Sequence, residues 1–144
     1  MITYVDHIGI VSQTLEQAGE VLVERLGLAW DIDRAPMPEG GYFAPERTRI
    51  FFVRVGVGET KIEILLPDDA RSGIGRYPER RGPGLHHIGY GSDDVVADTK
   101  QFIDNGLRYI DFGEPIEDIT ASFFHPASAD GILTEIVRDR RPVG

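Results

Sequence analysis

An α+β fold made of two βαβββ modules in tandem is predicted by an internal repeat and by alternating strand-like and helix-like segments. The segment DHIGIVS, at residues 6–12, resembles HHIGYGS, at residues 86–92, and four of the seven positions are identical. FFVRVGVGETKIEIL and FFHPASADGILTEIV form a second matching pair, each with a Phe pair, a Gly-containing turn and one glutamate in a strand-like run. Such self-similarity indicates that each half of the chain is one structural unit.

The elements are predicted to follow the same order in both halves. A helical apolar period predicts helices at 13–26 and 94–105, and Gly27 and Gly106 are suited to end them. The apolar runs predict strands of the first module at 3–11, 28–33, 49–56 and 60–66. Those of the second module are predicted at 85–91, 107–112, 119–125 and 132–138.

The two modules are predicted to cover residues 1–66 and 85–144 of a single domain that spans 1–144. The segment 67–84, PDDARSGIGRYPERRGPG, is polar and rich in Gly and Pro, which is typical of a linker. Neither half is expected to form a stable core alone, because a short chain buries too little apolar surface. The modules are therefore expected to pack face to face.

Composition excludes several classes of function. The 15 basic residues against 24 acidic ones give a net charge of −9, which opposes bulk nucleic-acid binding. The chain has no cysteine, so disulfides and thiolate chemistry are excluded. No apolar run approaches the ~20 residues that a membrane span requires. The start, MITYVDHIGI, lacks the features of a signal peptide, so we expect a cytoplasmic protein that binds no membrane.

Four residues with metal-ligating side chains stand at matching positions of the repeat. His7 matches His87, and Glu63 and Glu135 each lie 12 residues after the first Phe of their segment. If the modules pack with pseudo-twofold symmetry, all four side chains converge. A mixed nitrogen and oxygen set suits a divalent first-row ion such as Co²⁺, Ni²⁺, Mn²⁺, Zn²⁺ or Fe²⁺. Taken singly, each histidine could instead be structural, and each glutamate could face solvent.

The adjacent histidines of HHIGYGS are expected to differ in role. Neighbouring residues on a strand point to opposite faces, so one strand cannot present both to one site. Because His87 matches His7, His87 is expected to face the site. His86 and its counterpart Asp6 are expected to face away, and His125, before Pro126, is expected to be structural.

Four stretches carry a family resemblance: VDHIGIVS, GETKIEILLP, RRGPGLHHIGYGSDDV and FFHPASADGILTEIV. They resemble the vicinal-oxygen-chelate superfamily, which includes glyoxalase I, extradiol dioxygenases, bleomycin-resistance proteins and methylmalonyl-CoA epimerase. The double histidine and the HP…G-[IV]-L-x-E ending are most similar to the epimerase branch. The resemblance implies a cupped mixed sheet around a metal, the same four ligands and a homodimer.

The resemblance also implies a reaction. Carboxylates of the chain would transfer the proton of methylmalonyl-CoA or a related acyl-CoA between faces, and a bound divalent metal would supply the positive charge that stabilises the enolate. Glu135 is the candidate base. The strand RTRIFFVRV holds no carboxylate, and Glu46, just before it, is the candidate for the opposite face. Arginines of the linker could bind CoA phosphates or simply be solvated: Arg71, Arg76, Arg80 and Arg81.

Other functions remain open at this point. EPIEDITASFFHP has Ile116 to Ile119 where epimerases of this branch carry glycines, so the substrate could differ. A glyoxalase I-like enzyme with the same ligand types would act on a glutathione hemithioacetal or another 1,2- or 1,3-dicarbonyl compound. A non-catalytic resistance protein would only bind a small molecule. An extradiol dioxygenase is disfavoured, because that branch has a histidine where Glu63 stands.

Overall fold

The computed structural model describes residues 1–76 and 82–143, which contain eight β-strands and short helical segments. The chain divides into two compact units. One consists of Met1–His7 with His87–Gly144, and the other is Ile8–His86. Strand β1 (Ile2–Val11) contributes to both. The predicted α+β class is confirmed, whereas the predicted module boundaries stay a prediction.

The unit Ile8–His86 is built around an antiparallel sheet. Its strands are β2 (Ala29–Trp30), β3 (Gly41–Phe43), β4 (Thr48–Arg54) and β5 (Lys61–Pro67). Strand β4 pairs with each of the other three. The register of β4 and β5 places Glu63 opposite Phe52.

One helical segment packs on this sheet. Helix α1 (Leu15–Gly19) begins at Thr14, whose side chain accepts the Gln17 N–H, and continues as a π-helix over Glu20–Arg25. Gly27 follows with φ of +73°, a conformation that favours glycine, so the predicted end of the helix is confirmed. The core of this unit comprises Ala18, Leu22, Phe51, Val53, Ile64 and Leu66.

The unit of Met1–His7 with His87–Gly144 has a mixed sheet. Its further strands are β6 (Gly84–Ser92), which begins before the unit does, β7 (Ala121–Phe124) and β8 (Leu133–Arg138). The strand order in this unit is β1-β6-β8-β7, with β6 and β8 parallel and β7 and β8 antiparallel. Glu135 lies opposite Gly89 on one neighbour and opposite Phe123 on the other.

Helix α2 (Val95–Asp104) confirms the second predicted helix. Asp94 caps it by accepting the Ala97 N–H at 3.0 Å. Its apolar face joins a core of Val95, Ile119, Phe124 and Ile136. Ile119 lies at the end of the segment that differs from epimerases of this branch, so part of that segment serves the core.

The prediction of a strand at 107–112 was wrong. Only an isolated bridge joins Tyr109 to Phe124. The Asp111 side chain accepts the Gly113 N–H at 2.7 Å, and Gly113 has φ of +94°, so the chain turns before a ladder can extend. Pro126 has no N–H with which to prolong β7.

Two corrections concern the first module. The predicted strand 28–33 is reduced to two residues, because the Asp31 side chain accepts the Arg34 N–H at 3.3 Å and begins a turn. A short strand, β3, lies between the predicted strands 28–33 and 49–56, where no strand was predicted. Three residues are too few for an alternating pattern to be visible. Within the described part of the chain, no helix is long and apolar enough to cross a membrane.

Candidate metal centre

Three of the four predicted ligands converge within one compact unit. His7 on β1, His87 on β6 and Glu135 on β8 bring three donor atoms together. His7 Nε2 lies 3.0 Å from His87 Nε2 and 2.8 Å from Glu135 Oε1, and His87 Nε2 lies 3.2 Å from the same oxygen. Both imidazoles are buried, and the Glu135 side chain is 13% exposed.

These separations match those of adjacent ligands around one ion. A first-row divalent ion binds imidazole nitrogen and carboxylate oxygen at about 2.1 Å. Two such ligands at a right angle are therefore about 3.0 Å apart. The three distances between the donor atoms, 2.8, 3.0 and 3.2 Å, all lie close to that value. One cation could contact all three donors with little rearrangement.

The hydrogen-bonding chemistry of the three donors also favours a cation. Asp6 Oδ2 lies 2.7 Å from His7 Nδ1, and an ionised carboxylate only accepts, so Nδ1 carries the hydrogen. A neutral His7 then presents a lone pair at Nε2 toward Glu135 Oε1, which is another acceptor. A single proton could bridge only two of these atoms, whereas a divalent ion could bind His7 Nε2, His87 Nε2 and Glu135 Oε1 together. The residues present therefore fit a divalent metal.

The charge state of Glu135 fits this role. Burial by itself would raise the pKa of Glu135, but a proton carried by either imidazole and donated to the carboxylate outweighs burial and lowers that pKa. The carboxylate is therefore ionised at neutral pH, as a metal ligand must be.

A glycine makes room for the His7 ring. A Cβ atom at Gly89 would lie 2.2 Å from His7 Cε1, far inside contact distance. The imidazole therefore lies directly against the backbone of β6. Gly89 also faces Glu135 across the β6–β8 ladder, so this one position adjoins both a histidine and a carboxylate.

Two predicted site residues, Glu63 and Glu46, belong to the other unit. Glu63 on β5 is buried, so it does not face solvent. Glu46 ends a 3₁₀ turn (Ala44–Glu46) and is half-buried. Its Oε2 accepts the Ile74 N–H at 3.3 Å.

The expectation that Asp6 faces away from the site was wrong. Asp6 is buried and contacts the His7 ring, although strand alternation places adjacent side chains on opposite faces. Its other oxygen, Oδ1, accepts the hydroxyl of Tyr4 at 2.5 Å. Burial, followed by the bond to Asp6, raises the pKa of Tyr4 to about 12, so the phenol keeps its proton. The available sequence signal was an acidic residue inside the apolar run VDHIGIV, where burial requires a partner.

The remaining candidates are the linker arginines and His125. Arg71 pairs with Asp69 at 2.6 Å, and Arg76 is exposed. Arg80 and Arg81 lie outside the described residues. His125 is exposed after β7, and its carbonyl accepts the Ser128 N–H, a structural role in the turn.

Comparison with known proteins agrees with the fold. Residues 6–123 match the family model of the glyoxalase/bleomycin resistance protein/dioxygenase superfamily. The ethylmalonyl-CoA/methylmalonyl-CoA epimerase of Cereibacter sphaeroides is 30% identical over 140 residues, covering 94% of this chain and 98% of that protein. The mitochondrial methylmalonyl-CoA epimerase of Dictyostelium discoideum is 33% identical over 92 residues, covering 58% of this chain and 52% of that protein.

A solved structure extends the likeness over the whole chain. It is a glutamate-to-glutamine variant of the Streptomyces coelicolor methylmalonyl-CoA epimerase in complex with 2-nitronate-propionyl-CoA. The TM-score is 0.81 at 25% identity, and the match covers 98% of this chain and 100% of that one. The resemblance predicted from the sequence is thus confirmed. The chain belongs to the glyoxalase/bleomycin resistance protein/dioxygenase superfamily.

Proposed function

We propose that the protein is a divalent-metal-dependent epimerase of methylmalonyl-CoA or a related acyl-CoA. The observation that carries the proposal is the convergence of His7 Nε2, His87 Nε2 and Glu135 Oε1 within 3.2 Å of one another. Relatives and structural neighbours that match along nearly the whole chain include methylmalonyl-CoA epimerases, which supports an isomerase activity.

The proposed metal ligands are His7, Glu63, His87 and Glu135. Glu63 is included because it occupies the position of the repeat that matches Glu135 and is buried. The donor set suits Co²⁺, Ni²⁺, Mn²⁺, Zn²⁺ or Fe²⁺ without separating them. When bound, the ion supplies a Lewis acid for the thioester and carboxylate oxygens of the substrate.

The proton transfer is assigned to two carboxylates. The C2 hydrogen of methylmalonyl-CoA lies between a thioester carbonyl and a carboxylate, so the electrons of the breaking C–H bond can delocalise as an enolate. Glu135 is the proposed base on one face, with Oε1 meeting the histidines and Oε2 used for the proton. Glu46 is the proposed acid that returns a proton to the opposite face. A positioned acid or base of this kind contributes about 10²–10⁴-fold.

Proton exchange tests this proposal. Protein reconstituted with Co²⁺ is incubated in D₂O with (2R)- or (2S)-methylmalonyl-CoA, and the C2 proton is followed by NMR. We expect its loss, with racemisation, in the metal-loaded protein and in a Glu16→Gln control, whose side chain is exposed on α1. Glu135→Gln should suppress this loss, and Glu46→Gln should suppress the racemisation.

Failure of exchange has a defined meaning. One metal ion per chain without exchange of any malonyl-type thioester would contradict the epimerase activity. A glutathione hemithioacetal would then be the next substrate, because glyoxalases share this superfamily. The same result would reject an acyl-CoA as the substrate. The proposed homodimer is tested separately by sedimentation.

A further inference from the structure

We infer that Asp6 and Tyr4 form a positioning pair that holds the His7 ring so that Nε2 faces the metal. The inference rests on the metal centre of the proposed function. It concerns two residues that do not themselves serve as ligands. All the contacts that carry it lie within the unit of Met1–His7 with His87–Gly144.

Both oxygens of the Asp6 carboxylate are used. Oδ2 accepts the Nδ1–H of His7 at 2.7 Å, and Oδ1 accepts the Tyr4 hydroxyl at 2.5 Å. Asp6 is fully buried, and its contact with the His7 ring is buried as well. A hydrogen held at Nδ1 leaves Nε2 as the only ligating nitrogen of His7.

The rings of His7 and Tyr4 pack against two glycines of β6, Gly89 and Gly91. A Cβ atom at Gly89 would lie 2.2 Å from the His7 ring, and one at Gly91 would lie 2.0 Å from the Tyr4 ring. The two glycines are two residues apart and therefore share a face of the strand. Each ring thus packs against bare backbone, which limits rotation of the side chains that flank Asp6.

The outer end of the pair is covered by the segment 139–141. The Tyr4 hydroxyl accepts the Arg140 N–H at 3.3 Å, and the Arg141 guanidinium lies 4.5 Å from the centre of the Tyr4 ring. Asp139 binds both Arg141 and Thr3, which anchors this segment to β1. A continuous set of contacts therefore runs from the surface to the metal-facing nitrogen.

A carboxylate behind a ligating histidine strengthens that ligand as well as orienting it. The negative charge of Asp6 increases the electron density of the imidazole, and removal of such a partner typically weakens metal binding about 10–100-fold. Tyr4 contributes indirectly, because its hydroxyl fixes the orientation of the carboxylate. Its removal is expected to have a smaller effect.

Metal affinity of isosteric variants tests the pair. The Co²⁺ affinities of Asp6→Asn, Tyr4→Phe and the exposed control Asp111→Asn are measured by chelator competition, with the visible Co²⁺ spectrum and the metal-free Tm. We expect about 10–100-fold weaker binding and an altered spectrum for Asp6→Asn. We expect about threefold weaker binding for Tyr4→Phe and unchanged binding for Asp111→Asn. The spectrum is the readout that a purely structural role would leave unchanged.

The overturning results are equally defined. Affinity within twofold of the original protein and an unaltered spectrum for Asp6→Asn would overturn the inference. If that variant does not fold, Tyr4→Phe decides by the same criteria. A protein that binds no Co²⁺ also overturns it. Because these measurements involve no substrate, a missing proton exchange with intact metal binding would reject the epimerase activity and leave the positioning pair standing.

Discussion

The segments DHIGIVS and HHIGYGS place a histidine at the same position but surround it differently. His7 is preceded by a buried carboxylate, Asp6, which binds its ring, whereas His87 is preceded by the half-buried imidazole of His86. Gly89, against which the His7 ring lies, has a counterpart in Gly9, whereas Gly91, against which the Tyr4 ring lies, stands where the first segment has Val11. The repeat therefore duplicates the histidine and the glycine two residues after it, while two positions that differ, Asp6 and Gly91, shape the surroundings of His7 and Tyr4.

Removing a ligand should have the largest effect and should separate binding from catalysis. We expect Glu135→Gln to lower turnover by about 10²–10⁴-fold, because it removes the proposed base. Its metal affinity should fall less than that of His7→Ala, since glutamine keeps an oxygen donor. Turnover and Co²⁺ affinity of the two variants provide the check. An equal loss of metal in both would remove the case for Glu135 as base.

Filling the space at Gly89 tests the contribution of the second segment. The Cβ of Gly89→Ala would meet the His7 ring, so we expect weaker metal binding and about 1–3 kcal/mol lower stability from overpacking. Gly58→Ala is the matched control, because its Cβ would lie 3.5 Å from the nearest atom. Denaturant unfolding and chelator competition measure both effects. Unchanged metal affinity in Gly89→Ala would show that the ring position does not matter.

Truncating the residues that precede the two histidines sharpens the contrast between the segments. His86→Ala should change Co²⁺ affinity by less than about threefold, whereas Asp6→Ala should weaken it about 10–100-fold. The reason is that the Asp6 carboxylate accepts the Nδ1–H of His7, whereas a neutral imidazole at position 86 brings no negative charge to His87. A comparable loss in both variants would mean that His86 supports the site as Asp6 does.

The smallest expected effect is on stability at alkaline pH. The pKa of Tyr4 is raised to about 12 from an ordinary value of 10. Its contribution to stability is complete below pH 10 and is lost as the pH rises toward 12, because the unfolded chain releases the proton first. The free energy of unfolding should therefore fall more between pH 9 and pH 11 in the original protein than in Tyr4→Phe. Parallel changes would argue against the hydrogen bond between Tyr4 and Asp6.

Local sequence patterns predicted most of the fold. The helical period before Gly27 and Gly106 located both helices, because periodicity and capping act within a few residues. The predicted strand at 107–112 does not form, because the Asp111 side chain accepts the Gly113 N–H. The apolar pattern gave no indication of this local contact. Short strand β3 depends on pairing with β4, and its three residues carry no pattern of their own.

The sequence by itself determined which residues could form the site, and the tertiary structure decided how one of them is held. His7, His87 and Glu135 were identifiable because a repeat marks equivalent positions whatever their surroundings. The bond between Asp6 and the His7 ring was not, because alternation along a strand describes the backbone and not the rotation of a side chain. The position of the His7 ring depends on Gly89, 82 residues away in the chain, where the missing Cβ leaves the space for the ring.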